Sequence, residues 1–425
     1  MSEQFFRDSG QDWIGSIPSH WNIHRLGAHF TERKVTVNDT DYPALSVTMQ
    51  GIVPQLETAA KSDANDKRKL VLKGDFVINS RSDRKGSSGV SPLDGSVSQI
   101  SIVLEPKGIS PLYANYLLRS YPFQEEFYKW GSGIVADLWS TRFSAMKQIL
   151  IPVPPRAEQD AIVDFLDREL AQIDNLIHLQ LQLSARLSER KHSLVSSAVY
   201  GLAGSDSIYA TPTLPNGWMW RKLKGVVTFQ ASNVDKKTYE DGSPVRLCNY
   251  VDVYYNDEIH DGLDFMEATA SKKEIDAFTL RAGDVIITKD SESEADIGIP
   301  SYVPKDLPGV VCGYHLTILR SKGAIKPKFL KLVLETSQAK SHFAKRANGL
   351  TRMALGQGAI GDLAIPLPPL EVQDEIATAT WRKLGALNEA ILSSNSLVQR
   401  LRERRSALVS EAVTGKLQIK GGRNG

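Results

Sequence analysis

The sequence predicts an α+β fold: two globular mixed α/β lobes separated by two long helices packed as an antiparallel coiled coil, with a pseudo-twofold internal repeat. Three observations carry this expectation. The segment from Ile151, IPVPPRAEQDAIVDFL, returns at Ile365 as IPLPPLEVQDEIATAT, and the match runs ungapped to Gly201 and Gly415 with 21 of 51 positions identical. Ordinary composition does not give such agreement in one register. Both copies carry a seam at heptad-like spacing. Upstream of each copy, short β-like runs alternate with Gly, Ser, Asp and Pro clusters and end in a late helix.

In chain order, residues 1–154 form the first lobe. IPSHWNIHRL opens it at Ile17, followed by β-like runs at Tyr42–Val47, Asp75–Ile78 and Ile100–Leu104, then a helix from Leu112 to Trp130. Residues 155–204 form the first helical spacer. Pro154 and Pro155 stand where a helix begins without losing a needed N–H, and acidic residues follow in the first turns. The seam Ile162, Leu166, Leu170, Ile173, Ile177, Gln180, Ser184, Leu187, Lys191, Leu194 and Ala198 is spaced alternately by three and four, as in a coiled coil. Residues 205–368 repeat the lobe, with LPNGWMWRKL at Leu214, runs at Pro244–Leu247, Asp284–Thr288 and Leu316–Leu319, and a helix from Lys326 to Ala347. Residues 369–425 hold the second spacer and a tail, with Gly385 placed to bend it. An exposed apolar stripe must be covered, and the matching stripe lies in the same chain.

Composition excludes several classes. Fifty-one basic against 49 acidic residues give +2, too little to announce a nucleic-acid partner by bulk charge. Cys248 and Cys312 form no CxxC pair, which fits buried thiols in a reducing compartment. Neither a long apolar leader nor an 18-residue apolar run is present, so the expectation is a cytoplasmic protein. There is no phosphate loop, GxGxxG, HExxH or GxSxG, and no Asn/Asp-Pro-Pro-aromatic tetrapeptide. His20 and His24 lack a third ligand, so surface or packing roles are expected, with no metal site and no catalytic residue.

Local features point toward DNA. In the loop after Asn79, Arg81, Arg84 and Lys85 stand among Ser87, Ser88 and glycines, a composition that lets backbone N–H groups meet phosphates and Arg meet guanine. Arg142 follows in a second cluster beside Trp139. At the corresponding place in the second lobe, Lys289 and Ser291 lie in an acidic stretch, so the two lobes would read different sequences. Asn249, Tyr250, Tyr314, His315, Thr351, Arg352 and Gln357 complete the DNA-binding candidates. On the helices, Arg186, Arg190, Arg400 and Arg404 are candidates for binding a partner subunit.

With these residues in view, the chain resembles the specificity subunits of type I restriction–modification systems. The resemblance rests on IPxPPxxxQDxI at Ile151 and Ile365, the paired LVSxAVxG helix ends, and the IPSHW and LPNGW openings. It implies that the lobes are target-recognition domains, each reading half of a bipartite, asymmetric site in double-stranded DNA. The helices would set the spacing. It implies two modification subunits that methylate adenine N6 from S-adenosylmethionine, and restriction subunits, the motor-nucleases, that use ATP. No cofactor is expected on this chain itself, with S-adenosylmethionine, ATP and magnesium on the partners. Val372, where the first copy has Glu158, departs from the pattern of the repeat. A coiled-coil scaffold whose lobes bind a non-DNA partner is the alternative, and a stand-alone DNA enzyme is disfavoured by the missing motifs.

Overall fold

The computed structural model describes residues 5–55, 67–133, 139–201, 214–240, 242–349 and 352–419. The chain divides into two compact units, one of residues 1–181 with 396–425 and the other of residues 182–395. Both long helices run through this division, so each unit contains one lobe and half of each helix.

In the first unit a four-stranded antiparallel sheet has the order Ser88–Val90, Phe76–Asn79, Ser101–Pro106, Phe30–Glu32. The second unit repeats it as Pro300–Tyr302, Val285–Thr288, Leu316–Ser321, Val227–Ala231. Central strands such as Phe76–Asn79 and Val285–Thr288 are nearly continuous apolar runs because they are covered on both faces. The smaller sheets differ. Gly95–Val97 pairs antiparallel with Arg68–Val71 in the first unit, whereas Val310–Cys312 pairs parallel with Ser243–Cys248 in the second. The repeat therefore keeps one sheet and changes its neighbour.

The turns LKGD and LRAGD before the central strands do the same job twice. Asp75 accepts from Leu72 N at 2.9 Å and holds Arg33 through two bonds of 2.7 and 3.0 Å. Asp284 accepts from Arg281 N at 2.9 Å and holds Arg320 at 2.8 and 3.0 Å. Both carboxylates are buried, so the bidentate arginine and the turn N–H supply what lost water would have given.

The late helix of each lobe is two helices, a correction to the continuous helices expected at Leu112–Trp130 and Lys326–Ala347. Pro111–Arg119 is followed by Tyr121–Lys129, and Pro327–Glu335 by Ser337–Ala344. Ser120 and Thr336 take extended backbone at ψ 145° and 149° and occupy the cap position of both flanking helices, and the Thr336 hydroxyl also accepts from Ala339 N. Their hydroxyls donate to the Leu117 and Val333 carbonyls at 2.7 Å, offering the chain a local alternative to a continuing helix.

The shared motifs act as joints. Gln159 Nε2 donates to Pro154 O at 2.9 Å while its Oε1 accepts from Ser110 N at 2.8 Å. Gln373 bonds Pro368 O and Lys326 N in the same way, at 2.8 and 2.7 Å. One buried amide thus ties the start of each long helix to the start of a lobe helix. At the other end, Gly415 takes φ +75° with Pro18 and Trp21 against it, and Gly201 takes φ +67° against Pro215 and Trp218. A Cβ would lie 2.4 Å from Pro18 Cδ or 2.5 Å from Pro215 Cγ, so LVSxAVxG must end in glycine where a Pro-Trp motif caps it.

The long helices are Arg156–Tyr200, 45 residues, and Leu370–Val413, 44 residues, each about 65 Å at 1.5 Å per residue. They pack as an antiparallel pair. In the first unit Ile162, Leu166, Leu170 and Ile173 share a core with Val409, Ala412 and Val413, and Asp174 pairs with Arg405 at 2.9 Å. In the second, Ser184 donates to Asn395 at 3.1 Å, and Val195 and Val199 share a core with Ala377 and Leu384. The polar seam positions are thus bonding positions. The second helix runs uninterrupted through Gly385.

Candidate nucleic-acid interface

In the first lobe, two chain segments form one edge. Ser82 N donates to Trp139 O and Thr141 N to Ser80 O, both at 2.9 Å, which brings Arg81 and Arg142 onto adjoining backbone. Both are exposed, as is Arg84. Arg81 N donates to Asn79 Oδ1 at 3.0 Å, so an Asx turn starts the short helix Ser82–Arg84. Lys85 is turned back onto the lobe, paired with Glu125 and lying 5.8 Å from the centre of the Tyr128 ring. Ser87 and Ser88 are corrections to the loop reading. Ser88 enters the strand Ser88–Val90 and Ser87 stands just before it, and they are 0% and 7% exposed, which keeps their hydroxyls from any outside ligand.

In the second lobe the candidates converge more closely. Asp290 lies at the centre, with Lys289 Nζ at 2.7 Å and His315 Nδ1 at 3.1 Å. Arg352 Nη2 lies 3.3 Å from the other ring nitrogen of His315. Burial, opposed by the Asp290 hydrogen bond and reinforced by Arg352 and Lys289, holds His315 below the ordinary histidine value. The ring is therefore neutral near pH 7, donating from Nδ1 to Asp290 and accepting at Nε2 from Arg352. The pairing of Asp290 with Ala354 across a short antiparallel ladder brings the Arg352 segment here.

Beside this network lies an apolar hollow. Tyr250, Tyr314 and His315 wall it together with Val234, Leu247 and Met266, and Lys289 Nζ stands 5.2 Å from the Tyr314 ring centre. Tyr314 and Met266 are 41% and 44% exposed, so an aromatic and a thioether surface face outward at this hollow.

Other candidates are placed differently. Asn249 caps the helix Tyr250–Tyr255, its Oδ1 accepting from Val251 N at 3.3 Å, so its amide has a structural job as well as a place on the hollow's rim. Ser291 is 5% exposed, 3.4 Å from the Tyr250 hydroxyl, and it too cannot meet a ligand directly. Gln357 is exposed at the start of a short helix two residues beyond Leu355, whose N–H bonds Lys289 O. Thr351 lies outside the described residues. Sequence reasoning missed Asp290 and Met266, since nothing in their local spacing marks residues joined only by sheet pairing. On the long helices Arg186, Arg190, Arg400 and Arg404 are all exposed and fall at equivalent repeat positions, 186 with 400 and 190 with 404.

The histidines expected in surface roles have them. His20 bonds Glu158 at 2.8 Å, and His24 stacks on His29. Cys248 and Cys312 are free and buried, and burial pushes both thiols up. Among the described residues no three potential ligands could hold a metal, and no helix is long and apolar enough to cross a membrane.

Residues 27–185 and 215–381 match the model of the type I restriction modification DNA specificity domain. The chain is 22% identical over 361 residues to the type I restriction enzyme StySPI specificity subunit of Salmonella potsdam, covering 81% of this chain and 74% of that one. A solved chain from a study of complex assembly and conformational transition in the type I R-M system superposes with a TM-score of 0.72 at 17% identity, covering 94% of this chain and 99% of that one. The HsdS subunit of Thermoanaerobacter tengcongensis superposes at 0.52, also 17% identical, over 94% and 98%.

Proposed function

Because the chain belongs to the specificity subunits of type I restriction–modification systems, we propose that each of its lobes reads one half of a bipartite, asymmetric DNA site. The carrying observation is that one sheet scaffold occurs twice with chemically unlike groups at the corresponding edge: Arg81, Arg84 and Arg142 in one lobe, and the Asp290–His315–Arg352 network beside an apolar hollow in the other. A guanidinium already held by hydrogen bonds suits bidentate contact with guanine O6 and N7, and an apolar hollow suits the thymine methyl group. Two modest half-site preferences multiply into one specific address.

In this reading the antiparallel helices set the distance between half-sites, and Arg186, Arg190, Arg400 and Arg404 dock modification subunits. The chain carries no catalytic residue of its own. Modification subunits supply adenine-N6 methyl transfer from S-adenosylmethionine, and restriction subunits supply ATP- and magnesium-dependent motor-nuclease activity.

The experiment removes four residues, roughly one helical turn of 3.6, from each long helix together, and maps methylated adenines in a host carrying the modification subunits. The expected outcome is a changed gap between two unchanged half-sites. An unchanged gap would refute the spacer role, and altered half-site sequences would refute the separate readers.

A further inference from the structure

The repeat places the same cleft in both units, and the two copies are finished differently. In the second unit it is walled by Ser188, Lys191, His192 and Val195 of the first long helix. The positions 214 residues on, Arg402, Arg405, Ser406 and Val409 of the second long helix, wall the cleft of the first unit. The equivalence extends to the lobe helices, where Arg119 and Gln124 stand in the first cleft as Glu335 and Lys340 do in the second.

The second cleft contains its own carboxylate. Asp257 lies 2.6 Å from Lys331, 2.9 Å from Asn388 and 3.7 Å from Lys191. Although burial pushes Asp257 up, Lys331 and Lys191 hold it down at about 2. The carboxylate so closes one lobe onto both helices of its unit.

Among the described residues that line the first cleft there is no carboxylate. The wall is instead the turn at Met49, which is 71% exposed and whose carbonyl accepts from Arg119 Nη2 at 2.8 Å. Among the described residues no carboxylate pairs with Arg119 or Arg402. Arg405 shares Asp174, and Asp167 is taken by the Tyr116 hydroxyl. Burial and the neighbouring Arg405 lower Arg119, opposed by Tyr116, as expected of a guanidinium held beside a second cation.

We infer that the cleft between Arg119, Arg402 and Arg405 receives a carboxylate side chain from a protein partner, filling the place that Asp257 fills internally in the other unit. Resting on the function proposed above, the inference names the modification subunit as the donor of that side chain. A planar, always-charged fork matches a carboxylate in two bonds. One cleft is thus closed from within and its counterpart is left for assembly.

The test uses the full chain with its modification subunits. Arg402 is exposed, so Arg402→Glu unfolds at the parent's midpoint. Its assembly affinity, measured by titration with labelled modification subunit, falls about tenfold or more, while Arg402→Lys, which keeps the charge and loses the fork, falls by less. Suppressors of Arg402→Glu then map to Asp→Lys or Glu→Lys changes in the modification subunit. Assembly unaffected by Arg402→Glu overturns the inference and leaves the function reading intact. So does unchanged assembly with a salt slope for duplex DNA lowered by about one, which assigns the cleft to a phosphate. A parent chain that fails to assemble at all sinks both.

Discussion

After the strand Phe76–Asn79 the chain turns outward and exposes Arg81 and Arg84; after the equivalent strand Val285–Thr288 it stays at the sheet edge and buries Asp290 and Ser291. The first lobe therefore offers side chains free to adjust to a ligand. The second offers a guanidinium held through a neutral imidazole by a buried carboxylate. The contrast teaches where a duplicated recognition module can vary. The sheet, the Asp-Arg pair beneath it and the glutamine joints recur, so stability is carried by parts that no ligand touches, and the edge is free to change its chemistry.

The largest test strikes the shared part. Asp75→Ala and Asp284→Ala each strand a partly buried arginine, and each is expected to lower unfolding stability in urea by about 3 kcal/mol. The two losses should agree within about 1 kcal/mol, because the two pairs have the same geometry. A variant that loses half as much as its counterpart breaks the equivalence of the scaffolds.

A smaller effect separates the edges. Arg352→Ala is expected to weaken binding at one half-site by about 1–3 kcal/mol and to relax one base position there. Arg81→Ala relaxes only the other half-site, and sequencing methylated sites from each variant checks the assignment. Acidification sharpens the contrast. As pH falls through the His315 pKa, which lies under the ordinary value of 6.5, the ring gains a proton at Nε2 and can no longer accept from Arg352. Readout by the second lobe should therefore weaken at low pH and be full above that range. His315→Gln should flatten this dependence in DNA-binding titrations, and readout by the first lobe should not follow it.

How much of this was legible in the sequence depends on whether the cause is local. The ungapped repeat and the seam announce the helices because one residue in every three or four must be apolar wherever two helices meet. Ile162, Leu166 and Leu170 accordingly lie buried where the spacing puts them. The helix breaks at Ser120 and Thr336 left only a hydroxyl as signal. Ser87 and Ser88 read as loop residues because small polar residues follow glycine, yet sheet pairing draws Ser88 inward, and with it Ser87, whose carbonyl accepts from Asn79 N. Tyr250, Lys289, His315 and Arg352 were visible singly as candidate types. Their meeting around Asp290 was hidden, since strand pairing over more than sixty residues of chain joins them. The fold was thus easier to see than the site.

The smallest test concerns the one place where the repeat itself departs. In the first unit Glu158 accepts from Trp21 Nε1 and meets His20 Nε2, both at 2.8 Å, clamping the Pro-Trp motif to the start of the long helix. Val372 stands at the equivalent position of the second copy and offers no acceptor. Glu158→Ala is expected to cost about 1 kcal/mol, the net worth of hydrogen bonds to a partly exposed carboxylate. Val372→Glu is expected to gain less, because Gly217 stands where His20 stands in the first copy and only the Trp218 indole is available. Urea titrations of both variants would decide whether the clamp is transferable. A Val372→Glu chain less stable than its parent would show that the second joint is built around the valine's apolar contacts, and that the two copies have diverged in their packing as well as in their reading edges.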